Sequence, residues 1–198
     1  MSAADTWKEG TSVTDDAAAR ALLADAGVHL DVLADRKIVR VVTVNEQRHL
    51  AAVLHSPKGE ALGVLLHPFA TGVAVPVGIA PFPGVTMLNG TAHRLLTAKS
   101  EQPGEPRAVD THVTAAGAIV ATGLPRFASL AAEAAGSKRL FAVFGVPMGA
   151  RQWSATLAAH IPDGTKLVLD VDGEVEADIL RLLHGRDLKI GRRRKRGP

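Results

Sequence analysis

The sequence predicts an α/β fold, a parallel sheet flanked by helices and preceded by a small β-rich N-terminal unit. Three observations lead there. Between Ala118 and Ile190, short apolar runs alternate with amphipathic stretches of helical length, the pattern of strands joined by crossover helices. From Ile38 to Leu66, β-type runs are punctuated by Pro and Gly. Between these regions, SEQPGEPR (Ser100 to Arg107) is polar and Pro-containing, as a linker is. The division placed there gives a flexible lead (1–14), an N-terminal unit (15–107), an α/β domain (108–190) and a basic tail (191–198).

In chain order, Asp15 or Asp16 can cap a helix through Ala17–Ala26 with Leu22 and Leu23 inward and Gly27 as its stop. Strands are expected at Ile38–Val44, Leu50–Leu54 and Ala61–Leu66, the last two joined by a hairpin turn at Ser56–Glu60, where Pro57 and Gly59 supply the turn chemistry. Residues 67–90, rich in Pro and Gly, read as irregular β structure. In the second half, Ala118–Ala121 is a short apolar strand and Thr122-Gly123 a turn. Pro125 suits the first turn of a helix that buries Phe127, Leu130, Ala131 and Ala134 and stops at Gly136. Leu140–Phe144 is the next strand, followed by a loop containing Gly145, Pro147 and Gly149. A helix with Trp153 and Leu157 inward leads to the strand Lys166–Leu169. Val175, Ile179, Leu182 and Leu183 recur at helical spacing before Gly185, and Leu188–Ile190 is a fourth strand.

Composition narrows the function. The chain has 198 residues, 46% of them hydrophobic, without an apolar run of membrane-spanning length. The N-terminal residues lack the basic and apolar regions of a secretory signal, so a cytoplasmic location with no membrane partner is expected. With no cysteine, disulfides, thiol catalysis and Cys-based zinc sites are excluded. The net charge of +3 conceals an asymmetry: residues 186–198 hold seven Lys/Arg against one Asp, and the rest of the chain holds 16 basic residues against 19 acidic. The basic balance is therefore a property of the tail, where Arg192, Arg193, Arg194, Lys195 and Arg196 form a candidate phosphate-contacting run.

Asp170 and Asp172 stand at the C-terminal end of the Lys166–Leu169 strand, and a spacing of two in extended chain points both side chains the same way. Open α/β sheets bind ligands at that edge. Such a carboxylate pair suits a hard divalent cation that keeps most of its waters, Mg²⁺ or Mn²⁺, with Glu174 a third candidate ligand. The competing reading is that this acidic trio stabilises a helix N-terminus. The eight histidines show no metal-ligand spacing, and Ser129 and Ser154 have no activating base nearby in sequence. The string LVLDVDGEV also resembles the first motif of haloacid-dehalogenase-like phosphatases. That motif belongs on the first strand of its fold, and only 26 residues follow Asp172 here.

The order strand–turn–helix–strand–Gly loop–helix–strand–D-x-D–helix resembles the Toprim domain of bacterial primases, type IA and II topoisomerases and related nucleases. It is most similar to the Toprim modules of primase-like proteins from phages, plasmids and other mobile elements. Ile119 to Leu130 (IVATGLPRFASL) matches the first motif, Phe141 to Pro147 (FAVFGVP) the second and Leu167 to Asp172 (LVLDVD) the third, so the resemblance spans about residues 112–190. It implies that Asp170 and Asp172 ligate Mg²⁺ or Mn²⁺, that nucleic acid (DNA or RNA) is the partner, and that replication proteins or a helicase are further partners. It also implies a place in DNA replication.

One position departs from the family pattern. Thr122, followed by Gly123, stands where the family has its catalytic Glu, and an unactivated hydroxyl is neither an acid/base nor a strong metal ligand near neutral pH. Glu133, Glu174 and, less readily, Asp110 are the carboxylates that could replace it. Metal-dependent nucleotidyl transfer is thus in doubt, and no zinc-ribbon cysteines or Walker A loop are present. The expectation is a primase-like protein that processes or binds nucleic acid and is catalytically degenerate. The alternative is a non-catalytic assembly module with a nucleic-acid-contacting tail.

Overall fold

Two sheets and the helices packed on them make up the structure, a computed structural model that describes residues 2–24, 30–69, 72–79, 84–99, 116–147, 155–161 and 163–192. The first sheet is antiparallel and runs β1 (Arg40–Val44), β2 (Gln47–His55), β3 (Ala61–Pro68), β4 (Val75–Val77). β1 and β2 are joined through Asn45 and Glu46, both at positive φ (50° and 63°), as a two-residue hairpin turn that follows the strand twist requires. At the β2–β3 turn Ser56 Oγ accepts from the N–H groups of Lys58 and Glu60 (3.1 and 3.2 Å). The register shifts at Leu54/His55, and His55 also pairs with Thr86 through two backbone bonds of 2.8 and 3.1 Å. That bridge ties the first sheet to the second.

The second sheet has the order β5 (Met87–Leu88), β7 (Phe141–Val146), β6 (Gly117–Thr122), β8 (Lys166–Asp170), β9 (Lys189–Arg192). β5 is antiparallel to β7; the other four strands are parallel. β6 is central and nearly continuously apolar, as a strand covered on both faces must be. One face packs on α5 (Leu124–Gly136), which in turn meets the antiparallel sheet and the short α2 (Ala17–Leu22) and α3 (Leu30–Asp35) in a core around Leu33, Leu50, Leu54, Phe127 and Val143. The other face is covered by α4 (Gly90–Lys99), α6 (Ala155–Ala159) and α7 (Gly173–Leu182) around Leu96, Phe144, Leu157, Leu167 and Ile179. Full burial of a side chain such as Phe127 contributes about 1.5–3 kcal/mol. No helix among the described residues is long and apolar enough to cross a membrane.

The predicted fold class stands: a mixed α/β chain with a helix-flanked, largely parallel sheet and an antiparallel N-terminal sheet. Asp16 caps α2, accepting from Ala18 and Ala19 N–H (2.9 and 3.0 Å), but that helix ends at Leu22 rather than Ala26. The expected flexible lead is instead ordered. α1 (Ala3–Lys8) begins with a capping box between Ser2 and Asp5, Thr11 exchanges two backbone bonds with Val41, and Val13 is fully buried. Helices α3 and α4 stand where none was expected. α3 closes with Lys37 N–H bonded to Ala34 O and Ile38 N–H to Leu33 O, which places Lys37 at φ 51°. This termination normally uses glycine, and a side chain there costs on the order of 1 kcal/mol.

The division expected near residue 107 lies outside the described residues. On its N-terminal side, β5 and α4 already belong to the second sheet and its covering layer.

Candidate functional site

β6 and β8 are parallel neighbours with Ala121 opposite Asp170, so Thr122 and the Asp170–Asp172 segment share the C-terminal edge of the sheet. Gly123, at φ 81°, turns the chain from β6 into α5 while its N–H donates to Val146 O at 2.8 Å. A β-carbon is strained at that φ, which is why glycine serves there. Thr122 is 5% exposed, and its Oγ1 accepts the Asp172 N–H at 3.1 Å. The Thr122 hydroxyl therefore struts the β8–α7 turn against the tip of β6.

Asp172 is the N-cap residue of α7, yet its side chain makes no capping bond. Its Oδ1 lies 3.2 Å from a terminal guanidinium nitrogen of Arg126, in the first turn of α5. Both side chains are substantially exposed (39% for Arg126, 57% for Asp172), so the pair is worth about 1 kcal/mol or less. Arg126 was not among the expected site residues. The available signal was a basic residue three positions after Gly123, in the turn that faces the aspartates across the sheet edge. Asp170 is half-buried at the end of β8, and Glu174 is exposed in the first turn of α7.

Among the described residues, no three His, Asp or Glu side chains gather as a metal-holding group. Asp170, Asp172 and Glu174 thus do not close into a three-ligand centre. Their chemistry, hard carboxylate oxygens at one sheet edge, fits a Mg²⁺ or Mn²⁺ ion that retains most of its water, with Asp170 and Asp172 as the pair to hold it. Glu133 is nine residues along α5 from Leu124, about 14 Å from the helix start, and so stands away from this edge. Asp110 lies outside the described residues. The Gly145 loop reading changes as well, because Gly145 is inside β7. A β-carbon there would come within 2.7 Å of Met87 Cε and 2.8 Å of the Phe127 ring, so its bareness serves packing. Gly149 and Trp153 fall outside the described residues.

The basic run begins at the same edge. β9 is parallel to β8 with Arg192 opposite Leu169, so the chain leaves the sheet beside Asp170. The Arg192 guanidinium pairs with Glu176 of α7. Arg193, Arg194, Lys195 and Arg196 lie outside the described residues. Two other pairs lie toward the opposite end of these strands: Arg181 with Asp178 at 3.4 Å, and Arg186 with Asp163 at 2.9 Å.

Two histidines away from this edge are electrostatically unusual. Burial, reinforced by the nearby charge of His93, pushes His55 down from 6.5 to about 4. His67 is lowered in the same way, by burial and then by His49.

No protein-family model matches the chain, and no curated protein matches it. Among solved structures, it is similar to the primase fragment of the bacteriophage T7 primase-helicase protein, at 11% identity and a TM-score of 0.49. The match covers 85% of this chain and 62% of that fragment, so the chain spans less than two thirds of its length.

Proposed function

We propose that the chain is a Toprim-like, primase-related module that binds nucleic acid at the edge carrying Asp170, Asp172 and the basic run, and that does not itself join nucleotides. One observation carries this reading. The tip of β6, where the Toprim pattern requires a carboxylate, carries a buried threonine whose hydroxyl is already engaged with the Asp172 N–H. The family's motif order supports the rest, since it falls on adjacent parallel strands with the aspartates beside the first-motif turn. Asp170 and Asp172 hold a hydrated Mg²⁺ or Mn²⁺ that bridges to phosphate, and Arg192–Arg196 contact the backbone.

The test is the salt dependence of binding to single-stranded DNA and RNA by the full chain and by a chain ending at Arg192. Removing Arg193, Arg194, Lys195 and Arg196 is expected to lower the log–log salt slope by about 3. An unchanged slope would remove the tail from the interface. Calorimetric titration with Mn²⁺ should give binding that Asp170→Ala/Asp172→Ala abolishes, and primer synthesis by the wild-type chain in Mn²⁺ would refute the loss of transfer activity.

A second reading, a non-catalytic assembly scaffold, is favoured by the pairing of Asp172 with Arg126 and of Glu176 with Arg192, which leaves fewer uncommitted carboxylates at the edge. Identical, flat metal titrations of wild type and double variant would select it.

A further inference from the structure

A cleft of about 220 Å³ lies where α1, the end of α3, β2 and the β5–α4 junction meet. Asn89 and Gly90, on its wall, are level with Phe141–Val143, so this part of it sits toward the opposite end of the strands from Asp170. Its apolar floor includes Ile38, Val53, Leu88 and Phe127. The polar lining consists of two permanent cations, Arg36 and Lys37, two imidazoles, His55 and His93, and Asn89, with no carboxylate among the lining residues. Neither Arg36 nor Lys37 forms an ion pair among the described residues.

Three features of the lining set what it can take up. Lys37 occupies the left-handed position that ends α3, where glycine would relieve backbone strain, and it places a cation on the cleft wall. The His55 Nδ1 is buried without a well-aligned hydrogen bond, with the Thr86 and Val53 backbones beside the ring, which packs edge-on to His93 at 5.5 Å. His93 has its Nε2 3.1 Å from Gly59 O; a carbonyl only accepts, so Nε2 carries the proton. Gly90 has ordinary backbone geometry, and a β-carbon there would meet nothing within 4 Å. Neither conformation nor packing explains its bareness, which leaves the first turn of α4 open to the cleft.

We propose that this cleft binds a small phosphate-bearing anion, with the phosphoryl group between Arg36, Lys37 and the open backbone at Gly90 and the remainder of the ligand along the partly exposed side of the cleft formed by Ile38, Val53 and His93. The shared chemistry is the phosphoryl dianion, supplied by inorganic phosphate or by a nucleoside monophosphate. A cleft with fixed cations, no competing carboxylate and an apolar floor selects such a ligand over a neutral one. The site is separate from the acidic edge and does not rest on the function proposed for it.

The experiment is calorimetric titration of the full chain with inorganic phosphate, adenosine monophosphate and adenosine, each repeated on Lys37→Gly and Gly90→Ala. Saturable binding of a phosphate-bearing ligand is expected, weakened about tenfold or more in Lys37→Gly even though that variant melts at the same temperature as wild type or higher. The second condition separates a ligand role from a structural one, because removing the left-handed lysine relieves strain. Gly90→Ala should weaken binding without lowering the melting temperature. Tighter binding of the monophosphate than of phosphate assigns a nucleotide; equal binding assigns inorganic phosphate. Adenosine binding as well as its monophosphate, or Lys37→Gly binding as wild type, overturns the proposal.

Discussion

Lowering the pH from about 7.5 to about 5 is expected to remove about 2 kcal/mol of folding stability through His55 alone. The imidazole sits at the end of β2, where burial and then the neighbouring His93 bring its folded-state value from 6.5 to about 4. Arg36 and Lys37, which line the same cleft, are further positive charges near it. As the pH falls through 6.5, the unfolded chain takes up a proton at this residue and the folded chain does not until about pH 4. Stability is therefore complete above 6.5 and is lost progressively as the pH falls, to a limit of about 3 kcal/mol below 4. His67 is shifted in the same direction and adds to the loss. Urea unfolding of wild type and His55→Gln at the two pH values provides the measurement. The variant's loss of stability between them should be smaller by about 2 kcal/mol, whatever its stability at pH 7.5. An equal loss in variant and wild type would show that His55 is protonated in the folded state near its ordinary value, and the burial account would be wrong.

Asn89→Ala removes a side chain that donates to Phe141 O (2.9 Å) and accepts from Ala92 and Val143 N–H (2.9 and 3.0 Å), and should cost about 2–3 kcal/mol in urea unfolding. Thr122→Val keeps the shape of the residue but leaves the Asp172 N–H without its 3.1 Å acceptor; a loss of about 1 kcal/mol is expected, with faster hydrogen exchange at that amide. Gly145→Ala pushes a methyl against Met87 and Phe127 and should destabilise by about 1–3 kcal/mol, read as a lower melting temperature.

The parallel half of the molecule is legible in the sequence because its strands are bounded by local signals. Gly123 and Pro125 open α5, Gly185 follows α7, and the apolar residues between them recur at helical spacing. Helices α1, α3 and α4 are not legible for a different reason. α4 starts with Gly90 and Thr91, poor helix initiators, and its beginning is fixed by Asn89, which spans from the Ala92 N–H to the backbone of β7 more than fifty residues away. The order of the N-terminal lead comes from its pairing with Val41, a contact thirty residues distant that no local pattern announces. The candidate site divides along the same line. The two-residue spacing of Asp170 and Asp172 at the end of an apolar strand is a local signal. The Thr122 strut and the Arg126 pair bridge separations of 50 and 46 residues, and they exist only because β6 and β8 are neighbours.

Those long-range pairs couple the two ligands proposed for the edge. Arg126 and Arg192 each engage a carboxylate of the same edge, Asp172 and Glu176, and at least the first pair is exposed and weak. A phosphate backbone approaching the edge offers both arginines a better partner, since Arg–phosphate contacts are bidentate and charge-assisted. Each arginine drawn to phosphate releases a carboxylate, and a released Asp172 is the oxygen donor that a hydrated Mg²⁺ or Mn²⁺ lacks while Arg126 covers it. Metal should then bind more tightly in the presence of a short single-stranded oligonucleotide than in its absence, and by linkage the oligonucleotide should bind more tightly by the same factor when metal is present. Arg126→Gln uncovers Asp172 permanently, so it should raise metal affinity in the free protein and shrink that factor. A factor unchanged by the substitution would place the cation elsewhere and leave Arg126 and Asp172 as a surface ion pair with no part in binding.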